Sequence, residues 1–405
     1  MLSRRASLSG VKSLFFLIAV VALLLRAAPL PAQDIGVTND TIKIGTFAPY
    51  SGPVAPQAGN PVQIGQRLVY DMVNEKGGIH GRKLVVIEED DGCDPAKAIA
   101  AAKKLIHEHR VFLIQAATCS NAALAAKPLI VEAKIPFIAS GATAIGITYP
   151  TNPYVYTSTI TSDIEAESQV DFAMSVPNAK RVAIIGHRDA WGLAKIEPAL
   201  KRLREKYNLE PVANETLDRD ANDSTAQILR LKAARPDVVI LVLYIKEASV
   251  FLRDAVKYGL DSTVFVGPYI LEDIPKTISL AGTDAFAKNL FVVTINRYTV
   301  DEPPMQNVMN QMKARYPNVI PLAVFTANHS AASVVVEGLR RAGRDLTREK
   351  FLAELDRLKD FEDGGLLPGT ISFSPDNHRG RKTTSFVTYK DGHLVNVGPT
   401  YVPNR

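Results

Sequence analysis

Val111-Phe112-Leu113-Ile114 and Pro136-Phe137-Ile138-Ala139 are two short β-rich runs, separated by a helical stretch over Ala122–Glu132. Strand-length apolar runs on either side of a helix form a βαβ unit, whose right-handed crossover lays its strands parallel. The same alternation extends upstream. Ile42-Lys43-Ile44-Gly45-Thr46-Phe47 reads as a strand, and Asn60-Pro61 as an N-cap with proline at the first helical position. Val62, Val69, Met72 and Val73 give that helix an apolar face, and Gly77-Gly78 stops it. Leu84-Val85-Val86-Ile87 follows as a strand, then a helix opened by Asp94-Pro95.

Downstream of Tyr154-Val155-Tyr156-Thr157 the alternation begins again. Strands at 182–186, 238–243 and 264–266 are separated by helices near 193–207, 225–234 and 247–258. Two such runs imply two open, mostly parallel sheets flanked by helices. A strand at 290–294 and a long helix over 327–342 come next. The end reads as antiparallel strands at 369–373 and 384–389, with a turn at Lys390-Asp391-Gly392.

The N-terminus sets the compartment. Arg4, Arg5 and Lys12 precede an apolar run from Ser13 to Leu25, and Leu30-Pro31-Ala32 offers a small residue for cleavage. This is the pattern of a secretory signal peptide over residues 1–32, cut near Ala32, and it predicts a periplasmic protein. Of the 47 basic residues four lie in that leader, so the remaining 43 face 42 acids. A near-neutral chain gives no electrostatic reason to expect nucleic acid. Roughly 370 residues is large for one core and suits two domains. Cys93 and Cys119 are the two cysteines, and in an oxidising compartment they read as a disulfide. Two sulfurs without histidines at ligand spacing do not make a metal site, and His107-Glu108-His109 reads as solvated surface. No motif predicts a cofactor.

In open parallel sheets, ligands lie beyond the carboxyl ends of the strands. Four turns stand there: Ser51-Gly52, Thr118-Cys119-Ser120-Asn121, Ser140-Gly141-Ala142-Thr143, and Arg188-Asp189-Ala190-Trp191-Gly192. Small hydroxylated residues and glycines suit a carboxylate, although Ser120 and Thr143 read equally as N-caps. Trp191 reads as core or as a lid over a planar ligand, and Asp189 as a turn residue.

Three motifs carry a family resemblance: Ser51-Gly52-Pro53, Lys76-Gly77-Gly78-Ile79-His80-Gly81-Arg82-Lys83-Leu84, and Glu89-Asp90-Asp91-Gly92-Cys93-Asp94-Pro95. With them the chain resembles the leucine/isoleucine/valine-binding periplasmic proteins, type I solute receptors of ABC importers. The resemblance implies two Rossmann-like lobes, 34–158 with 293–370 and 159–292 with 371–405, joined by a three-strand hinge. It implies a Cys93–Cys119 disulfide, an importer permease as partner and a monomer. Ser120 and Thr143 would hold a ligand carboxylate, the Gly141 carbonyl an ammonium, and Trp191 would stack from the other lobe. Family tyrosines fall on Tyr244 and His329.

One position departs from the family. Relatives carry an acid after Gly-Pro that pairs with the ligand ammonium, whereas this chain has Gly267-Pro268-Tyr269. A buried ammonium without a counter-charge is costly. The expected ligand is therefore an amine-free, aromatic-type carboxylate. The alternatives are a branched-chain or aromatic amino acid held through a rearranged acid (Glu247, Glu272 or Asp273), or a ligand sensor for a membrane receptor. No nucleophile elbow, zinc helix or phosphate loop is present, so an enzyme is not expected.

Overall fold

The computed structural model describes residues 34–52, 54–316 and 323–402. The expected signal peptide lies outside the described residues. Five strands, β1 (Thr41–Ala48), β2 (Lys83–Asp90), β3 (Leu113–Ala116), β4 (Phe137–Ala139) and β5 (Val155–Thr157), form a parallel sheet in the order β2-β1-β3-β4-β5. Ile44 sets its register, facing Val86 on one side and Leu113 on the other.

A second sheet contains β6 (Val182–Gly186), β7 (Ala213–Thr216), β8 (Val238–Val242), β9 (Val264–Gly267), β10 (Leu290–Thr294), β11 (Thr384–Lys390) and β12 (His393–Tyr401). Its order is β12-β11-β10-β9-β8-β6-β7. Pairing is parallel from β7 to β10, and the β11–β12 hairpin closes one edge antiparallel. The hairpin turns through Asp391 and Gly392, both at positive φ.

The central strands of each sheet are buried on both faces, which is why they are apolar runs and not alternating ones. Val238 to Val242 are all fully covered. The helix Ala323–Ala342 lies against the helix Asn60–Glu75, and its Val334, Val335 and Leu339 join a core with Ile44 and Leu113. The chain thus returns to the first sheet after β10 and to the second at β11. Among the described residues no helix is long and apolar enough to cross a membrane.

Three local expectations are corrected. Asn60 is not an N-cap: a wide helical turn over Ala55–Gly59 runs straight into Asn60–Glu75, leaving Asn60 helical. Residues 369–373 form no strand. Ile371 pairs only with Phe361, because Gly369 turns at positive φ and Arg381 Nη1 takes the Pro368 and Gly369 carbonyls that a ladder would need. Neither Ser120 nor Thr143 caps a helix. Cys119 stands before the helix Ser120–Glu132, and Thr161 before Ser162–Ser175.

Candidate functional site

Between the carboxyl ends of the two sheets lies a cavity of about 270 Å³. Its first wall comes from turns after β1, β2 and β3: Val54, Ala58, Cys93, Thr118, Cys119, Ser120 and Asn121. This wall is short-chained and uncharged. The Cys93–Cys119 disulfide joins two of its turns, with Cα atoms 5.5 Å apart. Asp91 supports the Cys93 turn by accepting the Cys93 N–H at 2.8 Å. Burial, with Asp90 and Asp94 nearby, pushes the Asp91 carboxyl up to about 6. Ser120 Oγ accepts the Ala144 N–H at 3.2 Å, tying the turn after β3 to the turn after β4.

The second wall follows β6, β7, β8 and β9 and supplies Asp189, Trp191, Arg219, Tyr244, Tyr269 and Ile270. Asp189 caps the helix Ala190–Tyr207 by accepting the Gly192 N–H at 2.8 Å. Gly192 is required there, since a Cβ would collide with the His187 carbonyl. Arg219 Nε reaches Asp189 Oδ2 at 3.0 Å while its guanidinium lies 3.9 Å from the Tyr244 ring centroid. Burial works against the Asp189 carboxylate, but the Gly192 N–H and Arg219 outweigh it and hold it below the usual range. Trp191 stacks on Tyr244 with centroids 4.3 Å apart. The Tyr244 phenol is pushed up to about 12 by burial. His187 links the turns from beneath, with Nδ1 at 2.8 Å from the Leu217 carbonyl and Nε2 accepting the Tyr244 N–H at 3.3 Å. One ring nitrogen donating and the other accepting fits a neutral imidazole, and burial lowers its affinity for a second proton.

Of the residues expected from sequence, Ser120, Trp191, Tyr244 and Tyr269 line this cavity. Thr143 and Gly141 sit just behind it, covered by groups from the opposite lobe. Lys195 Nζ reaches Thr143 Oγ1 at 3.1 Å, and the Tyr269 hydroxyl donates to the Gly141 carbonyl at 3.1 Å. His329 does not line the cavity; burial holds its imidazole down at about 4. Ser51 is exposed and bonded to the Asp90 carboxylate. The three acids considered as substitutes are committed elsewhere. Glu247 accepts the Asp220 N–H, Glu272 bonds Thr294 and Asn296, and Asp273 caps the helix Ile274–Ala281. Sequence reasoning missed Arg219, for which a loop arginine gives no signal, and set Asp189 aside as a turn residue. Among the described residues no cluster of His, Cys, Asp or Glu could hold a metal.

A family model described as periplasmic binding protein matches residues 41–393. The chain belongs to the periplasmic binding protein family. It is a non-catalytic solute-binding protein, and the resemblance to the Leu/Ile/Val-binding branch holds. The leucine-, isoleucine-, valine-, threonine- and alanine-binding protein of Pseudomonas aeruginosa is 28% identical over 80% of this chain and 84% of its own length. The Leu/Ile/Val-binding protein BraC3 of Rhizobium johnstonii is 26% identical over 94% of this chain and 98% of its own. The structure of a branched chain amino acid ABC transporter from Thermus thermophilus, with bound valine, superimposes with a TM-score of 0.78 at 22% identity, covering 90% of this chain and 97% of that one. That likeness establishes the two-lobed α/β fold.

These relatives overturn the expectation of an amine-free ligand, because both sequence relatives are amino-acid-binding proteins by name. The expectation rested on Tyr269 leaving an ammonium without a counter-charge. The cavity wall does contain a carboxylate, supplied by Asp189 from the turn after β6 and not from the turn after β9.

Proposed function

We propose that this protein is the periplasmic receptor of an ABC importer and binds one branched-chain amino acid between its two lobes, delivering it to a membrane permease as a monomer. The observation that carries this reading is the pairing of opposite charges in one small cavity. Asp189 and Arg219 line it together, Ser120 and Asn121 face them, and Val54, Ala58, Ile270 and Val324 supply apolar surface. A zwitterion with an aliphatic side chain complements such a wall in charge and in polarity. A volume just below the range of drug-sized pockets suits a single small metabolite.

In this reading Ser120 and Asn121 take the carboxylate, Asp189 answers the ammonium, and Trp191 with Tyr244 covers the side chain. Gly141 and Thr143 act through Tyr269. The sheet memberships support lobes at 34–158 with 293–370 and 159–292 with 371–405, except that Val293 and Thr294 still pair in the second sheet, and export with removal of residues 1–32 accords with the family. Isothermal calorimetry with leucine, isoleucine and valine tests the proposal. Saturable one-to-one binding with an upward shift in melting temperature is expected. Absence of binding for all three would overturn it.

A further inference from the structure

Behind the cavity lies a ring of hydrogen bonds that the ligand-binding reading does not use. Glu165, on the helix Ser162–Ser175, accepts the Tyr269 N–H through Oε1 at 2.8 Å and pairs through Oε2 with Lys195 Nζ at 3.2 Å. Both side chains are fully buried, at 0% exposure. Lys195 also reaches Thr143 Oγ1 at 3.1 Å and Ser162 Oγ at 3.2 Å, and its ammonium lies 4.3 Å from the Trp191 ring centroid. Thr143 Oγ1 accepts again from Ser162 Oγ at 3.0 Å. A threonine hydroxyl has two lone pairs and one hydrogen. With both lone pairs engaged, Thr143 Oγ1 accepts from Lys195 and Ser162 and has only its hydrogen left to give. Close by, the Tyr269 phenol donates to the Gly141 carbonyl at 3.1 Å.

Lys195 thus donates to Thr143 and Tyr269 donates to Gly141, with Glu165 holding the Lys195 ammonium and the Tyr269 backbone together. The ring also crosses the cleft. Gly141 and Thr143 follow β4 of the first sheet, whereas Lys195 follows β6 and Tyr269 follows β9 of the second.

We infer that Glu165 and Lys195 are positioning residues that clasp the two lobes, setting the closed arrangement and with it the placement of Tyr269 and Trp191 in the cavity wall. All the bonds run between protein groups, so they contribute to closure whatever occupies the cavity. A buried ion pair of this kind adds little net stability, yet removing one partner strands a charge. Its value here is therefore in specifying geometry.

The inference rests on the proposed ligand site for its second readout only. In small-angle X-ray scattering without added ligand, Lys195→Met, Glu165→Gln and Thr143→Val should each show a larger radius of gyration than the parent chain. Leucine affinity should fall by roughly tenfold or more, since a tenfold loss of the closed population appears directly in the apparent dissociation constant. Thr143→Val keeps the lobe-two ion pair intact and covers the case in which Lys195→Met fails to fold. The double variant Glu165→Leu with Lys195→Met should regain the parent melting temperature, because no charge is stranded, while remaining expanded. A double variant that melts, scatters and binds like the parent overturns the clasp. Should the parent itself not bind leucine, the ligand assignment falls, and the scattering comparison still decides the clasp.

Discussion

The two walls of the cleft are made in different ways. The first is a set of short side chains on adjacent turns, tied by a disulfide and by the Ser120 to Ala144 bond, and it carries no charge. The second brings long aromatic and charged side chains from four separate segments to one place, and each depends on a neighbour for its position. In the proposed reading the wall of backbone and hydroxyls takes the ligand carboxylate. In that reading the wall of rings and ions answers the ammonium through Asp189 and covers the side chain through Trp191 and Tyr244, with Tyr269 beside them.

The sharpest way to break the contrast is to cut the covalent tie. Cys93→Ser with Cys119→Ser opens a loop with a sequence separation of 26 residues. About 3–4 kcal/mol of unfolding free energy should be lost in denaturant titrations, with the first wall loosening before the second. Trp191→Ala tests the second wall. Removing a stacked, buried aromatic anchor should weaken leucine binding in calorimetry by about 2–3 kcal/mol, with the apo melting temperature falling as well because Trp191 packs into the core.

Proton linkage sharpens the comparison from behind the second wall. Glu272 is raised from 4.5 to about 7 by burial, although Thr294 and Asn296 bond it. A carboxyl that holds its proton more tightly when folded stabilises the fold while protonated. That contribution is whole below the unfolded value and is lost as pH rises through about 7. Urea titrations between pH 5 and 8 should show stability falling by on the order of 2 kcal/mol, and Glu272→Gln should flatten the slope. The smallest effect belongs to the first wall. Ser120→Ala should cost about 1 kcal/mol of binding, because backbone N–H groups and Asn121 remain.

The same difference explains what could be read from the chain. The strands β3, β4, β8 and β10 were legible because strands covered on both faces are largely apolar, and Ser120 because its turn follows such a strand. β7, Ala213–Thr216, was not legible: Ala-Asn-Glu-Thr is an edge strand, half exposed, and carries no apolar run. Arg219 follows that strand and shares its obscurity. Lys195 and Glu165 sit on helices where charged residues normally face solvent, and only the packing of one helix on another buries them. Tyr269 draws notice in the sequence, but nothing there shows that Asp189, which reads as a turn residue, is both a helix cap and a wall of the cavity.

Trp191 is the single tryptophan of the sequence, and it is stacked on Tyr244 at the edge of the cavity with a buried ammonium beside it. The protein therefore carries its own optical probe in the wall of the cavity. Excited at wavelengths that the 13 tyrosines do not absorb, its emission comes from one indole, so in the proposed reading a spectrometer should follow cargo arriving and leaving without a dye. If the proposed site holds, the receptor is a reagentless sensor for its own cargo.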